Sequence, residues 1–348
     1  MRGRGATENP PNRFEALRYV RSAAEQTADA ALDPRTRLLA DPSRSIVATN
    51  QSPDVGFDAS VNPYRGCEHG CVYCYARPSH ETLGFSAGLD FETKILVKGR
   101  APELLRQRLR ARSWKPQVVA LSGVTDPYQP AERQLELTRR CLRVLADFRN
   151  PASVITKSCL VTRDRDILQE LAQHQACSVR VSVTTLDAKL QHLMEPRASR
   201  PTKRLAAIRE LAAAGIPVGV MLAPVIPGLT DHEVPAILQA AARAGASFAG
   251  RVVLRLPYGV KQLFESWLEA HFPDRRKKVL HQLRAVRGGK LYDSRYRLRQ
   301  VGEGKGAEQM TALFELARRR AGLAAHGPEL CCSAFRRPVE LGDQLRLF

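Results

Sequence analysis

The sequence runs to 348 residues, 44% of them hydrophobic, with 54 Lys and Arg against 35 Asp and Glu and a formal charge of +19. That apolar content can build a core in one large domain or two ordinary ones. The excess of cation says nothing about fold; it favours a polyanionic partner, nucleic acid or membrane, unless it reflects only a general preference for arginine.

The opening stretch, "MRGRGATENPPNRFEA", has basic residues but no apolar leader, and a cytoplasmic protein is expected. Residues 1–45 are polar, Arg-rich and dotted with proline, and predict a basic arm, much of it poorly ordered. From about Asp58 short apolar runs alternate with amphipathic segments. The runs at 58–62, 117–122, 152–156, 178–184, 217–223 and 251–256 predict strands. Between them, 130–148 sets Leu135, Thr138, Leu142 and Leu145 on one helical face. Residues 201–214 do the same with Leu205, Ile208 and Leu211, starting behind Ser199 at Pro201 and stopping at Gly215. Strands alternating with crossover helices make a parallel sheet, and six of them can curl into an incomplete barrel. The expected fold class is therefore α/β, a partial (β/α)6 TIM-like barrel over residues 46–260.

Residues 212–229 carry no charge over about the length of a membrane span, but Pro217, Pro224 and Pro227 forbid one continuous helix. No membrane partner is expected. After about Lys261 the alternation fades into a basic C-terminal extension, 261–325. Within it, 275–305 holds eleven basic residues against two acidic ones, with Tyr292 and Tyr296 interleaved. Such a segment can neutralise phosphates and stack on bases, or it can be a solvated face with core tyrosines. A helical stretch at 307–321 precedes a flexible tail, 326–348. No internal repeat is visible.

Eight cysteines in an intracellular chain do not suggest a disulfide framework. Three of them stand together in "YRGCEHGCVYCYARP", as Cys67, Cys71 and Cys74. A structural zinc site wants four ligands, usually as two separated pairs; no second CxxC exists, although His69 and His80 are near in sequence. The spacing favours an iron–sulfur cubane, three corners of which a short CxxxCxxC loop can wrap. Its fourth iron would then be open to a cofactor or substrate. Cys141 and Cys177 read as packing residues, Cys159 as a structural thiol, and the Cys331–Cys332 pair as a feature of the tail.

A CxxxCxxC motif after a first strand, followed by βα repeats, resembles the radical S-adenosylmethionine superfamily over roughly residues 58–260. The finer pattern is similar to a bacterial branch related to spore photoproduct lyase. Tyr73 and Tyr75 flank Cys74 as "YCY", and "GVTDPYQPAE", "VITKS" and "VRVSV" carry the rest of the likeness. The resemblance implies a radical SAM type of barrel whose [4Fe-4S] cluster sits on Cys67, Cys71 and Cys74, with S-adenosyl-L-methionine as the second cofactor. It implies that Thr125, Lys157, Ser182 and Tyr75 meet that cofactor, and that a 5′-deoxyadenosyl radical abstracts hydrogen from substrate. A flavodoxin or ferredoxin would be the reductant. Without the resemblance, Lys157 at the end of an apolar strand still has to meet an anion, such as Asp126 or Asp164. Thr125 and Ser182 would satisfy nearby backbone groups. One departure stands out: where photoproduct lyases carry a hydrogen-returning cysteine this chain has Gly123, which puts direct repair in doubt. Glu195 and Arg197 are weaker candidates for contact with cofactor or substrate, a surface ion pair being the alternative. His80 and Glu81 read as loop anchors or cavity walls.

The last five residues, "QLRLF", look like the peptide by which bacterial replication proteins dock on the DNA polymerase sliding clamp. Leu345, Leu347 and Phe348 would enter an apolar pocket while Gln344 binds its rim. The alternative is that they fold back on the barrel. The expectation is a lyase-like radical enzyme acting on DNA, with modification of RNA or protein, or a non-catalytic iron–sulfur nucleic-acid binder, as rivals.

Overall fold

The computed structural model describes residues 3–15 and 35–338. Its centre is a seven-stranded sheet in the order β10-β9-β8-β7-β6-β3-β2. The strands are β2 (Val47–Thr49), β3 (Ala59–Val61), β6 (Val119–Leu121), β7 (Ala152–Thr156), β8 (Cys177–Ser182), β9 (Val218–Val225) and β10 (Phe248–Val253). From β3 to β10 every pairing is parallel and follows chain order; only β2 is antiparallel, at the edge. A sequential parallel order without reversal is that of a barrel rather than a doubly wound sheet. No pairing joins β2 to β10 among the described residues. All six predicted strands are present, in a partial barrel.

The strands are β-branched runs buried on both faces. Val154, Val179, Val181 and Val220 are fully inaccessible, as a parallel sheet covered by helices requires. The last strand begins earlier than the apolar run at 251–256 suggests. Phe248 pairs with Gly219, where a Cβ would come within 2.3 Å of the phenylalanine ring, so the missing side chain at 219 makes the space that seats the strand start.

Helix 130–148 is expected as one piece and forms as two, Glu132–Leu135 and Leu137–Asp147, broken at Glu136 with φ 49°. The cause is the buried Glu132 carboxylate. It accepts the Thr138 and Arg139 amides at 3.0 and 3.2 Å, capping the second helix from within the first. The predicted helix after Pro201 spans Pro201–Ala213, and the one near the C-terminus spans Lys305–Arg320.

A second sheet, order β1-β5-β4, joins β1 (Arg37–Ala40), β5 (Lys94–Val97) and β4 (Tyr64–Arg65). It is absent from the strands predicted above, and residues 16–34 of the expected arm lie outside the described residues. Residues 37–40 are a paired strand, and residues 3–15 lie against the body. The Gly5 and Ala6 amides donate to the Glu92 carboxylate at 3.0 and 2.8 Å, and Arg4 donates to the Glu92 carbonyl at 2.9 Å. A buried carboxylate that needs several donors is the reason a polar segment is held down. No helix among the described residues is long and apolar enough to cross a membrane.

Candidate functional site

The cysteine loop begins just after β4 at the barrel's open end. Gly66 (φ 81°) and Gly70 (φ 66°) turn it, and a Cβ on Gly70 would stand 2.7 Å from the Glu92 carboxylate. The loop is fastened at both sides. The Cys67 amide donates to the Phe91 carbonyl at 2.9 Å, the Val72 amide to Met194 at 3.0 Å, and the Arg197 amide to His69 at 3.3 Å. A tight turn then closes, Cys74 N–H to Cys71 at 3.1 Å. The three thiols are free; those of Cys67 and Cys71 are buried and that of Cys74 is half-buried. Burial pushes the Cys71 and Cys74 thiols up, and Glu195 (on Cys71) and the neighbouring cysteines push the same way. Lys157 opposes that shift on both, and Arg77 on Cys74. Three thiols on one short loop are a donor set that, once deprotonated, suits a positively charged metal centre. Among the described residues no three His, Cys, Asp or Glu side chains converge on one point that would take a single metal ion.

Asp126 ties this loop to the barrel. Its carboxylate accepts the Thr156 hydroxyl at 2.6 Å, the Lys157 amide at 2.7 Å and the Tyr128 amide at 2.9 Å, and lies 3.3 Å from Nδ1 of the buried His69. Burial alone would push His69 down; the Asp126 carboxylate reverses this and holds its pKa up at about 10. Burial would raise Asp126, but His69 above all brings it down to about 2. Each partner thus favours the charged form of the other, and the His69 ring also lies against Cys67. The sequence offers Asp126 as an anion for Lys157, and carries no signal for its contact with His69.

Lys157 directly follows β7, and the structure does not support the alternative reading of it as an ion-pair partner of Asp126 or Asp164. Asp126 takes its amide instead, and Asp164 is engaged by Tyr128, Arg139 and Arg163. The ammonium donates to the Ala223 carbonyl at 2.7 Å, lies 4.0 Å from Glu195 Oε1 and sits 5.9 Å above the Tyr73 ring. Glu195 is fully buried, which overturns the surface-pair alternative, and it is the hub of the site. It accepts from Tyr73 Oη, from Thr184 Oγ1 at 2.9 Å and from Arg204 Nη2. Burial would raise its pKa, but Arg204 first and Lys157 second hold it at about 2. Arg204, itself 1% exposed, also donates to the Ser182 carbonyl at 3.0 Å and to Ser199 at 2.6 Å. Arg197 pairs with Glu68 at 3.3 Å.

The other candidates gather at the same end of the sheet. Thr125 is buried and its hydroxyl donates to the Tyr64 carbonyl at 3.1 Å, which leaves both oxygen lone pairs available. Ser182 ends β8 and is 3% exposed. Tyr75 is 46% exposed and donates to the Gly123 carbonyl at 2.7 Å, so it bridges the cysteine loop to the segment that follows β6. Cys141 and Cys177 are buried; the Cys331 thiol contacts the Ser333 hydroxyl at 3.1 Å and its amide donates to the Gln175 carbonyl at 2.9 Å. Glu81 binds Arg13 at 2.6 Å and anchors the loop.

His80 is an anchor with a pH cost. One ring nitrogen, Nε2, meets the Lys94 carbonyl at 3.0 Å, while Nδ1 is buried without a partner, between Phe85 and Phe91. Burial pushes the imidazole from 6.5 to about 4. A pKa lowered on folding leaves stability intact above 6.5 and lowers it as pH falls from 6.5 towards 4, because only the unfolded chain takes up the proton. Urea midpoints of the metal-free protein at pH 7 and pH 4.5 should fall less for His80→Gln, which keeps an amide donor, than for the wild type. An equal fall would remove His80 as the cause.

Residues 61–241 match the Radical SAM superfamily, which is just over half of the chain. The chain belongs to that superfamily. With the radical SAM family come its cofactors, a [4Fe-4S] cluster and S-adenosylmethionine, and a reductant to supply the electron. A Mycobacterium tuberculosis relative, an uncharacterised protein, is 39% identical over 232 residues, covering 65% of this chain and 68% of its own. An uncharacterised Methanocaldococcus jannaschii protein is 29% identical over 174 residues, 50% of this chain and 62% of its own. Among solved structures, a spore photoproduct lyase with bound AdoMet and dinucleoside spore photoproduct superposes with a TM-score of 0.57 at 16% identity, over 82% of this chain and 80% of that one. The likeness is one of fold: the same radical SAM barrel carries both sequences.

Proposed function

We propose that this radical SAM protein acts on nucleic acid, DNA first, in the cytoplasm. In this reading Cys67, Cys71 and Cys74 hold the cluster, and Thr125, Lys157, Ser182 and Tyr75 line the S-adenosylmethionine site. When bound, the two cofactors supply a one-electron cleavage that yields the 5′-deoxyadenosyl radical, the species that removes hydrogen from substrate. The chain's own residues place and shield: Lys157 offers a cation, Glu195 and Arg204 fix its surroundings, and Tyr73 walls the loop from water.

The observation that carries the nucleic-acid reading is the rim of the site. Tyr75 and Tyr296 are both about half exposed, each with an arginine over its ring: Arg255 at 4.7 Å and Arg299 at 4.5 Å. Exposed aromatic faces backed by guanidinium groups suit unstacked bases and their phosphates. The dinucleoside in the photoproduct lyase structure supports the same substrate class. Gly123 leaves the hydrogen-returning thiol of the lyases without a counterpart, so the reaction proposed is hydrogen abstraction from a base or sugar, not a completed lyase cycle.

The test is anaerobic. Iron and sulfide are reconstituted, the protein is reduced by a flavodoxin or ferredoxin system, and 5′-deoxyadenosine is quantified with ultraviolet-damaged DNA, undamaged DNA or RNA. Stimulation by damaged DNA, lost in Cys74→Ala, is the expected result. Stimulation by RNA alone would move the substrate to RNA, and product independent of Cys74 would remove the cluster assignment.

The closing Gln344, Leu345, Leu347 and Phe348 lie outside the described residues. We propose them, on sequence alone, as the sliding-clamp peptide. Deleting residues 344–348 should abolish clamp binding in a pull-down with purified clamp while leaving S-adenosylmethionine cleavage intact. Undiminished capture would discard the assignment.

A further inference from the structure

Past β10 the chain runs on through Leu254 and Arg255 at the same end of the sheet as Gly123 and Lys157. Arg255 makes no ion pair among the described residues, and its Nε is buried with no hydrogen-bond partner. Its one partner is the Tyr75 ring beneath it. Behind it stands Arg287, 1% exposed, whose Nη atoms donate to the Val253, Leu254 and Leu298 carbonyls at 3.0, 2.7 and 2.6 Å while its Nε is also unpaired. Arg287 thus fixes the backbone that carries Arg255 and adds a second positive charge. Burial, and then the charge of Arg255, push Arg287 down to about 10.

The acids nearby act on Arg287 by charge but pair with other groups, and none forms an ion pair with Arg255 among the described residues. Asp293 is chelated by Arg295 at 2.5 and 3.0 Å, and Glu303 meets the same guanidinium at 2.8 Å. Asp54 is taken by the Arg297 amide and by Arg299. A guanidinium left half-buried and uncompensated is costly unless an anion completes the site. Arg255 is also placed for use, since Tyr75 joins it to Gly123 and follows Cys74 in the loop.

We infer that Arg255, set by Arg287 and seated on Tyr75, is a phosphate site that holds one backbone phosphodiester of the substrate beside the radical centre. The inference rests on the nucleic-acid reading and assigns it an atom: a single non-bridging phosphate oxygen pair facing the Arg255 fork. The adjoining base would then stack on the exposed Tyr296.

The experiment measures fluorescence anisotropy of the reconstituted full chain with a short single-stranded oligodeoxynucleotide, against oligonucleotides in which one linkage at a time is a neutral methylphosphonate. The variants are Arg255→Gln and Arg255→Lys, with iron content and circular dichroism as folding controls. A charge-assisted contact predicts that Arg255→Gln weakens binding roughly 10- to 100-fold and shortens the salt slope by about one, while Arg255→Lys keeps part of the affinity. One methylphosphonate position should weaken the wild type by a similar factor and leave Arg255→Gln unaffected. Wild-type affinity and salt slope in a folded Arg255→Gln would overturn the site and leave the nucleic-acid reading standing. A wild-type protein that binds no oligonucleotide would overturn the nucleic-acid reading itself.

Discussion

Glu195→Gln should destabilise the metal-free protein by about 3–5 kcal/mol, the usual consequence of leaving one member of a buried ion pair without its partner. The stranded charge would be Arg204, which is 1% exposed and directed at the lost carboxylate, with Lys157 4.0 Å away on the other side. Tyr73 and Thr184 would each keep an acceptor in the amide oxygen, so the effect is electrostatic and not a loss of hydrogen bonds alone. Denaturant midpoints measure it, and Arg204→Met in the same background should restore part of the loss. A Glu195→Gln variant within 1 kcal/mol of wild type would mean that the hub is dispensable. The pH dependence carries a sign as well. Glu195 is lowered from 4.5 to about 2, so its contribution is whole above 4.5 and is lost as pH falls towards 2.

Lys157→Met should weaken S-adenosylmethionine binding roughly 10- to 100-fold, the worth of one charge-assisted hydrogen bond, with little change in iron content. The ammonium is available for this because it is not consumed by a close carboxylate: its short contact is a carbonyl, that of Ala223 at 2.7 Å. Equilibrium dialysis of the reconstituted protein reads the affinity directly. A purely structural lysine would instead give unchanged affinity with a lowered midpoint, since Glu195 would lose its second cation. Lys157→Arg separates charge from shape: partial binding is expected if the charge is what S-adenosylmethionine meets.

The parts of this fold that are visible in the sequence are those with short-range signatures. Apolar runs mark the parallel strands, Pro201 and Gly215 bracket a helix, and three cysteines in one short loop mark the site. The parts that are not visible depend on charged residues meeting across long separations. Glu92 draws Arg4, Gly5 and Ala6 onto the cysteine loop from more than eighty positions away. Glu132 breaks a helix that periodicity makes continuous, by capping a turn it also helps to start. Glu195 looks like a surface residue in "LMEPRASRP", and only the approach of Tyr73 and Arg204 makes it a buried one. Periodicity reports on which face is apolar; it is silent on which carboxylate an arginine will find. Arg255 was missed for the same reason, standing in the basic background of a chain with 54 such residues.

The fastening of the cysteine loop sets an order of assembly. Val72 is bonded to Met194, His69 to Arg197 and Tyr73 to Glu195, so the loop takes its shape only after the chain has been made to about residue 204, where Arg204 completes the hub. A ribosome that has released only the cysteines has therefore exposed three thiols with none of the partners that hold them in place. If these thiols hold the cluster, as proposed, insertion of iron and sulfur should follow emergence of the chain to about residue 204, and until then the thiols would be open to oxidation and to adventitious metals. Expression under slow translation or in air should accordingly cost cluster content before it costs folded protein.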